Sequence, residues 1–153
     1  MYLRSRPVLW LLLILLVVGF FWMKDRQKDN QVNQLQPGEQ IEAARDKAQP
    51  VFLYFRSPTC PACREMQGIV DRLRSDYQPG VAFVTVNTAD EENVDLVNHY
   101  GIKYIPHTFI LDSQGDILFN QSGVIAEEVL REQLDGAVQG RFLQELPQGG
   151  TNN

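Results

Sequence analysis

Hydrophobic residues are grouped along this chain in two ways. From Pro7 to Met23 they form one run without a charged side chain, whereas beyond Gly38 they come in short bursts set among polar positions. The first run would measure about 25 Å as a helix, near the lower limit for crossing a bilayer. Trp10 and Trp22 stand near its ends, where amphipathic rings favour the headgroup region. A cleaved signal peptide has a shorter apolar core, about 7–15 residues, followed by a small-residue site. Val17-Val18-Gly19 matches such a site poorly, and Phe20-Phe21-Trp22-Met23 carries the run on. A helix apolar all round at the extreme terminus is also a poor core helix. Residues 1–23 are therefore predicted to be an N-terminal transmembrane anchor. Arg4 and Arg6 with the α-amino group precede the run, and Lys24, Arg26 and Lys28 follow it. That near-tie leaves the orientation open.

The later bursts predict alternating elements. Residues 24–37 are polar and read as a linker. Glu39 to Ala48 predicts a short helix with Ile41 and Ala44 on one face, stopped before Pro50. Val51 to Phe55 is continuously apolar, the mark of a strand buried on both faces. From Pro61 to Asp76, the positions of Cys63, Met66, Val70, Leu73 and Tyr77 give one helical stripe, with Pro61 tolerated at the first position. Val81 to Val86 predicts a strand after the Pro79-Gly80 turn. Thr88-Ala89-Asp90-Glu91 has the form of a capping box for a helix reaching Tyr100, with Gly101 as its stop. Thr108 to Leu111 and Ile117 to Phe119 predict a hairpin around Ser113-Gln114-Gly115-Asp116. Ala126 to Val138 predicts a last helix with Val129, Leu130, Leu134 and Val138 on one side. Residues 141–153 are rich in Gln, Gly and Asn and are predicted to be a disordered tail. The order α-β-α-β-α-β-β-α predicts an α/β domain over residues 38–140, a mixed central sheet with helices on both faces.

Charge excludes one class of partner. Apart from Arg4 and Arg6, 12 of the 14 Lys/Arg and all 19 Asp/Glu lie beyond residue 23. No basic stripe is available to hold a phosphate backbone, so nucleic acid is excluded as a partner.

The chemistry concentrates in Cys60-Pro61-Ala62-Cys63, which holds both cysteines of the chain. Two cysteines three residues apart close too short a loop to staple a fold. A c-type haem site needs His after the second Cys, and position 64 is Arg. Zinc needs two more ligands, and His99 and His107 lack the short spacing usual for fingers. No metal is implied. Between a strand and a helix, the pair places Cys60 at the helix N-terminus and Cys63 one turn inside. Amide donors and the helix dipole there stabilise a thiolate on Cys60. Cys63 is then placed to attack a mixed disulfide formed at Cys60.

From about Gly38 to Gly140 the chain resembles the thioredoxin-fold family. The resemblance rests on Val51 to Phe55 leading into Cys60-Pro61-Ala62-Cys63. It continues through Tyr100-Gly101-Ile102-Lys103-Tyr104-Ile105-Pro106, Gly115 and Gly123. It implies a thiol–disulfide oxidoreductase without a cofactor beyond its own Cys60–Cys63 disulfide. It also implies a cis Pro106 facing the cysteines and excluding metal, with Ile105 offering backbone hydrogen bonds to a substrate segment. Departures accompany it. The buried acid of thioredoxins, six residues before the first cysteine, is Tyr54 here, and its companion lysine falls near Thr85. Thr59 replaces the usual tryptophan, Gly68 a kinking proline, and Pro61-Ala62 the usual dipeptide. Tyr54, Thr59, Pro61, Ala62 and His107 are thus candidate auxiliary residues, Tyr54 and His107 as aids to deprotonating Cys63. Tethered relatives usually face the extracytoplasmic side and keep chosen protein cysteines reduced, for example in cytochrome c maturation, with electrons from a membrane partner. A disulfide oxidase or isomerase, or a non-catalytic docking module, are the alternatives.

Overall fold

The computed structural model describes residues 35–140, together with Trp10, residues 13–18 and Phe20. The chain divides into two units, Met1–Leu35 and Gln36–Asn153. In the first, Trp10, residues 13–18 and Phe20 are helical and exposed. No helix among the described residues is long and apolar enough to cross a membrane. Most of the expected anchor, most of the linker and the whole of the expected tail, residues 141–153, lie outside the described residues.

The second unit carries the predicted alternation. Its elements are α1 (Pro37–Asp46), β1 (Val51–Arg56), α2 (Pro61–Tyr77), β2 (Ala82–Asn87), a 3-10 turn (Glu91–Asn93) running into α3 (Val94–His99), β3 (His107–Leu111), β4 (Ile117–Ser122) and α4 (Glu127–Gln139). One four-stranded sheet has the order β2-β1-β3-β4. β1 and β2 are parallel, whereas β1–β3 and β3–β4 are antiparallel. The α2 crossover forces the first pairing to be parallel, and the short 112–116 turn forces the last to be antiparallel. Asp112 builds that turn, its carboxylate accepting from the Gln114 and Asp116 amides at 2.8 and 2.9 Å. Gly115 there has φ +92°, and a Cβ would run into the Arg45 guanidinium.

Strand alternation divides the core in two. Phe52, Phe83 and Ile110 face one side with Met66, Val70 and Leu73 of α2 and Leu130 and Leu134 of α4. Val51, Leu53, Phe55, Val84, Val86, Phe109 and Leu111 face the other, with Ile41 and Ala44 of α1. β1 therefore lies buried on both faces along Val51 to Phe55, as its unbroken apolar run requires.

Four local expectations change. α1 begins at Pro37 and ends at Asp46, two residues early at each end. Glu39 reaches back to accept from the Gln36 amide at 3.0 Å, so the chain caps itself ahead of the predicted start. The capping box at Thr88 does not form. Thr88 instead donates to the Arg56 carbonyl at 3.4 Å and its amide bonds there at 2.9 Å. The helical stretch opens later, as the Glu91–Asn93 turn, and Asn93 pins it by donating to the Asn87 carbonyl at 2.9 Å. On α4 the buried stripe is Leu130, Leu134 and Ala137, with Val129 and Val138 exposed. The 3–4 spacing allows either stripe, and docking of α4 against α2 selects the first. Arg131 and Arg72 bond Glu127 at 2.7 and 2.8 Å, and Arg131 also bonds Asp76 at 2.6 Å.

Candidate active site

β1 ends at Arg56, the chain turns through Ser57-Pro58-Thr59, and α2 starts at Pro61. Pro61 fits there because a first-turn residue has no use for its amide hydrogen. Ser57 Oγ accepts from the Thr59 amide at 3.4 Å and lies 3.1 Å from Thr59 Oγ1. Cys60 becomes the N-cap of α2, and its sulfur accepts from the Cys63 amide at 3.1 Å. Cys60 is partly buried and Cys63 fully so. The two are joined as a disulfide with Cα atoms 5.2 Å apart. Pro61 is exposed and Ala62 partly buried beside them.

The Ile105–Pro106 bond is cis. The Ile105 carbonyl oxygen lies 4.0 Å from Cys60 Sγ. Pro106 is buried, and its carbonyl accepts from the Gly123 amide at 2.8 Å. The loop after β4 thus holds the proline loop against the cysteines. Cys60, Cys63, Ile105 and Pro106 meet at one point although 45 residues separate Cys60 from Ile105.

Tyr54 lies beneath this point. It is fully buried, and its hydroxyl donates to the Cys63 carbonyl at 2.9 Å. Burial pushes its phenol up to about 12, with Arg56 pulling it down and Asp71 pushing it up. A neutral phenol already committed as a donor is no base for Cys63. Tyr54 props the first turn of α2 where thioredoxins carry a carboxylate.

His107 goes elsewhere. Strand alternation turns it to the side of Phe109, away from α2. Its ring stacks on Phe109 at 4.7 Å, and Nε2 lies 2.6 Å from Asn120 Oδ1. With a carbonyl oxygen as partner, Nε2 is the donor, and Nδ1 is buried with no partner among the described residues.

The register shows what the linear pattern did not. Tyr54 pairs with Thr85 on β2 and with Thr108 on β3. Three hydroxyl residues therefore cross the sheet in one row under α2. Thr85 bonds Arg74 at 3.2 Å. Thr108 is fully buried, and its hydroxyl has no partner among the described residues. In the sequence Thr108 is one β-favouring residue in an apolar strand. Its signal was its place two residues after Pro106, hence on the same strand face.

Known proteins agree with this geometry. A thioredoxin-like domain model matches residues 37–137. Thioredoxin 1 of Synechococcus elongatus is 33% identical over 86 residues, covering 56% of this chain and 78% of that protein. The thiol:disulfide interchange protein TxlA of the same organism is 28% identical over 104 residues, covering 68% of this chain but 53% of its own length. The thiol-disulfide oxidoreductase ResA of Halalkalibacterium halodurans is 24% identical over 116 residues, covering 62% and 66%. The crystal structure of the Drosophila melanogaster thioredoxin Deadhead shares the fold, with a TM-score of 0.55, 23% identity and coverage of 64% and 88%. With the match spanning most of the second unit and the cysteine pair seated at the start of its long helix, this chain belongs to the thioredoxin-like domain family.

Proposed function

We propose that this protein reduces disulfides of proteins outside the cytoplasm, held to a membrane through residues 7–23 and recharged by a membrane-bound thiol donor. The observation that carries the redox reading is the Cys63 amide aimed at Cys60 Sγ from 3.1 Å at the α2 N-terminus. Donors already in place there favour negative charge on Cys60 once the disulfide opens. The uncharged run of residues 7–23 supports the tether. The likeness to ResA and TxlA supports exchange with protein disulfides. Cysteine pairs awaiting haem attachment in a cytochrome c are one substrate of this class.

The exchange follows from the two positions. The Cys60 thiolate attacks one sulfur of a substrate disulfide and releases the other as a thiolate, leaving a mixed disulfide. Cys63 gives up its proton, which the released thiolate takes, and attacks Cys60 Sγ. The Cys60–Cys63 bond forms and the second substrate sulfur leaves as a thiolate. Two electrons have moved to the substrate. A donor dithiol reverses the sequence to restore the enzyme. The edge of the Ile105–Pro106 loop lies beside the reacting sulfur, where an extended substrate segment can pair with its backbone.

Trapping tests the roles. Cys63→Ser in the full chain should accumulate mixed disulfides through Cys60 in cells, and Cys60→Ser should accumulate few. Complexes held on Cys63 in Cys60→Ser, with none on Cys60 in the other variant, would reverse the assignment. The potential tests direction: a reductant lies near −270 mV and an oxidant near −120 mV, roughly the values of thioredoxin and DsbA. Labelling of the cysteines by a membrane-impermeant thiol reagent in intact, reduced cells tests the side.

A further inference from the structure

The row beneath α2 contains one hydroxyl with nothing to bond. Tyr54 donates to the Cys63 carbonyl and Thr85 is bonded by Arg74, whereas Thr108 Oγ1, fully buried, has no partner among the described residues. A buried hydroxyl without a partner is destabilising, and valine has nearly the same shape without that cost. Thr108 therefore invites the question of which state of the protein uses it.

Its neighbourhood answers. Thr108 lies two residues beyond Pro106, on the same strand face, next to the loop whose Ile105 carbonyl is 4.0 Å from Cys60 Sγ. It stands directly across from Tyr54, whose hydroxyl touches the Cys63 backbone. The structure is that of the disulfide form, in which Cys63 sulfur has neither proton nor charge. Reduction changes that. Cys63 is fully buried, so a thiolate that forms there needs a polar partner inside the protein. Thr108 then offers an unpaired hydroxyl on the sheet face that α2 covers, and pairing it with the Cys63 sulfur would satisfy both groups.

We propose that Thr108 is a positioning residue whose hydroxyl hydrogen-bonds the Cys63 sulfur in the reduced protein. It accepts from the Cys63 thiol and rotates to donate as that thiol ionises. It neither takes nor supplies the proton, which leaves with the released thiolate as in the exchange above. This deepens the redox reading and rests on it. In this chain a neutral hydroxyl serves Cys63 where the carboxylate of thioredoxins is absent.

The test measures the Cys60–Cys63 couple of the full chain, purified in mild detergent, against glutathione buffers for wild type, Thr108→Val, Thr108→Ala and Thr108→Ser. Loss of the hydroxyl withdraws stabilisation from the reduced form alone. Thr108→Val and Thr108→Ala should shift the equilibrium about fivefold toward the disulfide, making the potential more negative by about 20 mV at 29.6 mV per tenfold. Thr108→Ser should restore the wild-type value. The pH midpoint for resolution of a preformed mixed disulfide should rise in Thr108→Val and return in Thr108→Ser. A role in folding alone would alter the oxidised and reduced forms equally and leave both readouts where they were, and that result overturns the inference. A wild-type chain with no measurable couple would overturn the redox reading itself.

Discussion

The two faces of the sheet are built from alternate residues of the same strands, yet they are different materials. On the face toward α1 and α3, Phe55, Tyr100 and Phe109 close a triangle with centroids 5.1 to 5.9 Å apart. Around it pack Leu53, Val84, Val86 and Leu111. On the face toward α2 and α4, Phe52 stacks on Phe83 at 5.0 Å at one end of β1. At the other end, Tyr54 and Thr108 introduce hydroxyls beneath the disulfide. The difference teaches how a single strand serves two purposes. Leu53 and Phe55 hold the sheet together, and Tyr54 between them supports the reactive turn. Period-two alternation makes the duties separable: a change at one residue acts on one face.

The largest effect should come from emptying the apolar face. Phe109→Ala removes one corner of the aromatic triangle and should lower unfolding stability by about 3–5 kcal/mol. Because the disulfide lies across the sheet, the potential of the surviving folded protein should stay unchanged. Urea titration and glutathione equilibration together measure the two quantities. A large shift in potential with small loss of stability would break the division between faces.

Tyr54→Phe probes the opposite face with a smaller effect. The Cys63 carbonyl keeps its bond within the helix, so the loss should be about 0.5–1.5 kcal/mol, that of one net hydrogen bond. Its pH signature is sharper. The Tyr54 phenol is raised to about 12 by burial, against about 10 in an unfolded chain. The neutral form is favoured by folding, so this contribution is complete below pH 10 and disappears as pH rises from 10 through 12. Urea melts over that range should fall less steeply for Tyr54→Phe than for wild type. Some slope should remain, because Tyr77, donating to Asp135 at 2.7 Å, is also pushed up to about 12.

The smallest effect lies at the surface clasp between α2 and α4. The Arg131 and Arg72 guanidinium groups hold the Glu127 carboxyl below its ordinary range. Its contribution is present above the unfolded value, about 4.3, and is lost as pH falls through the lower folded value. Glu127→Gln should therefore flatten the acid limb of thermal stability slightly and leave neutral-pH activity intact. Exposed ion pairs of this kind contribute little, and a large destabilisation would show that α4 docks through charge rather than through Leu130 and Leu134.

Much of this was legible in the chain itself. The unbroken apolar run of Val51 to Phe55 marked a strand buried on both faces. The Cys63-Met66-Val70-Leu73 stripe marked the helix it leads into, and all four residues are fully buried. Those features are local: a helix or strand needs only the spacing of its own side chains to announce its buried face. The cysteine pair between them was local for the same reason. Where two local solutions were equally good, the pattern chose poorly. Val129 and Val138 of α4 fit a helical stripe as well as Ala137 does, and only the docked position of the helix separates them. Thr88 had the spacing of a cap, but its neighbour across the parallel pair, the Arg56 carbonyl, claimed it.

By itself, then, the sequence determined the elements, their order and the reactive pair, because periodicity and the strand–Cys60–Cys63–helix arrangement are set by residues near one another. The tertiary structure alone decided what surrounds that pair. It placed Ile105 beside Cys60, sent His107 to the opposite face, committed the Tyr54 hydroxyl to the Cys63 backbone and set Thr108 across from Tyr54. Each of these depends on the register between strands, and one residue of slip would have reversed every face.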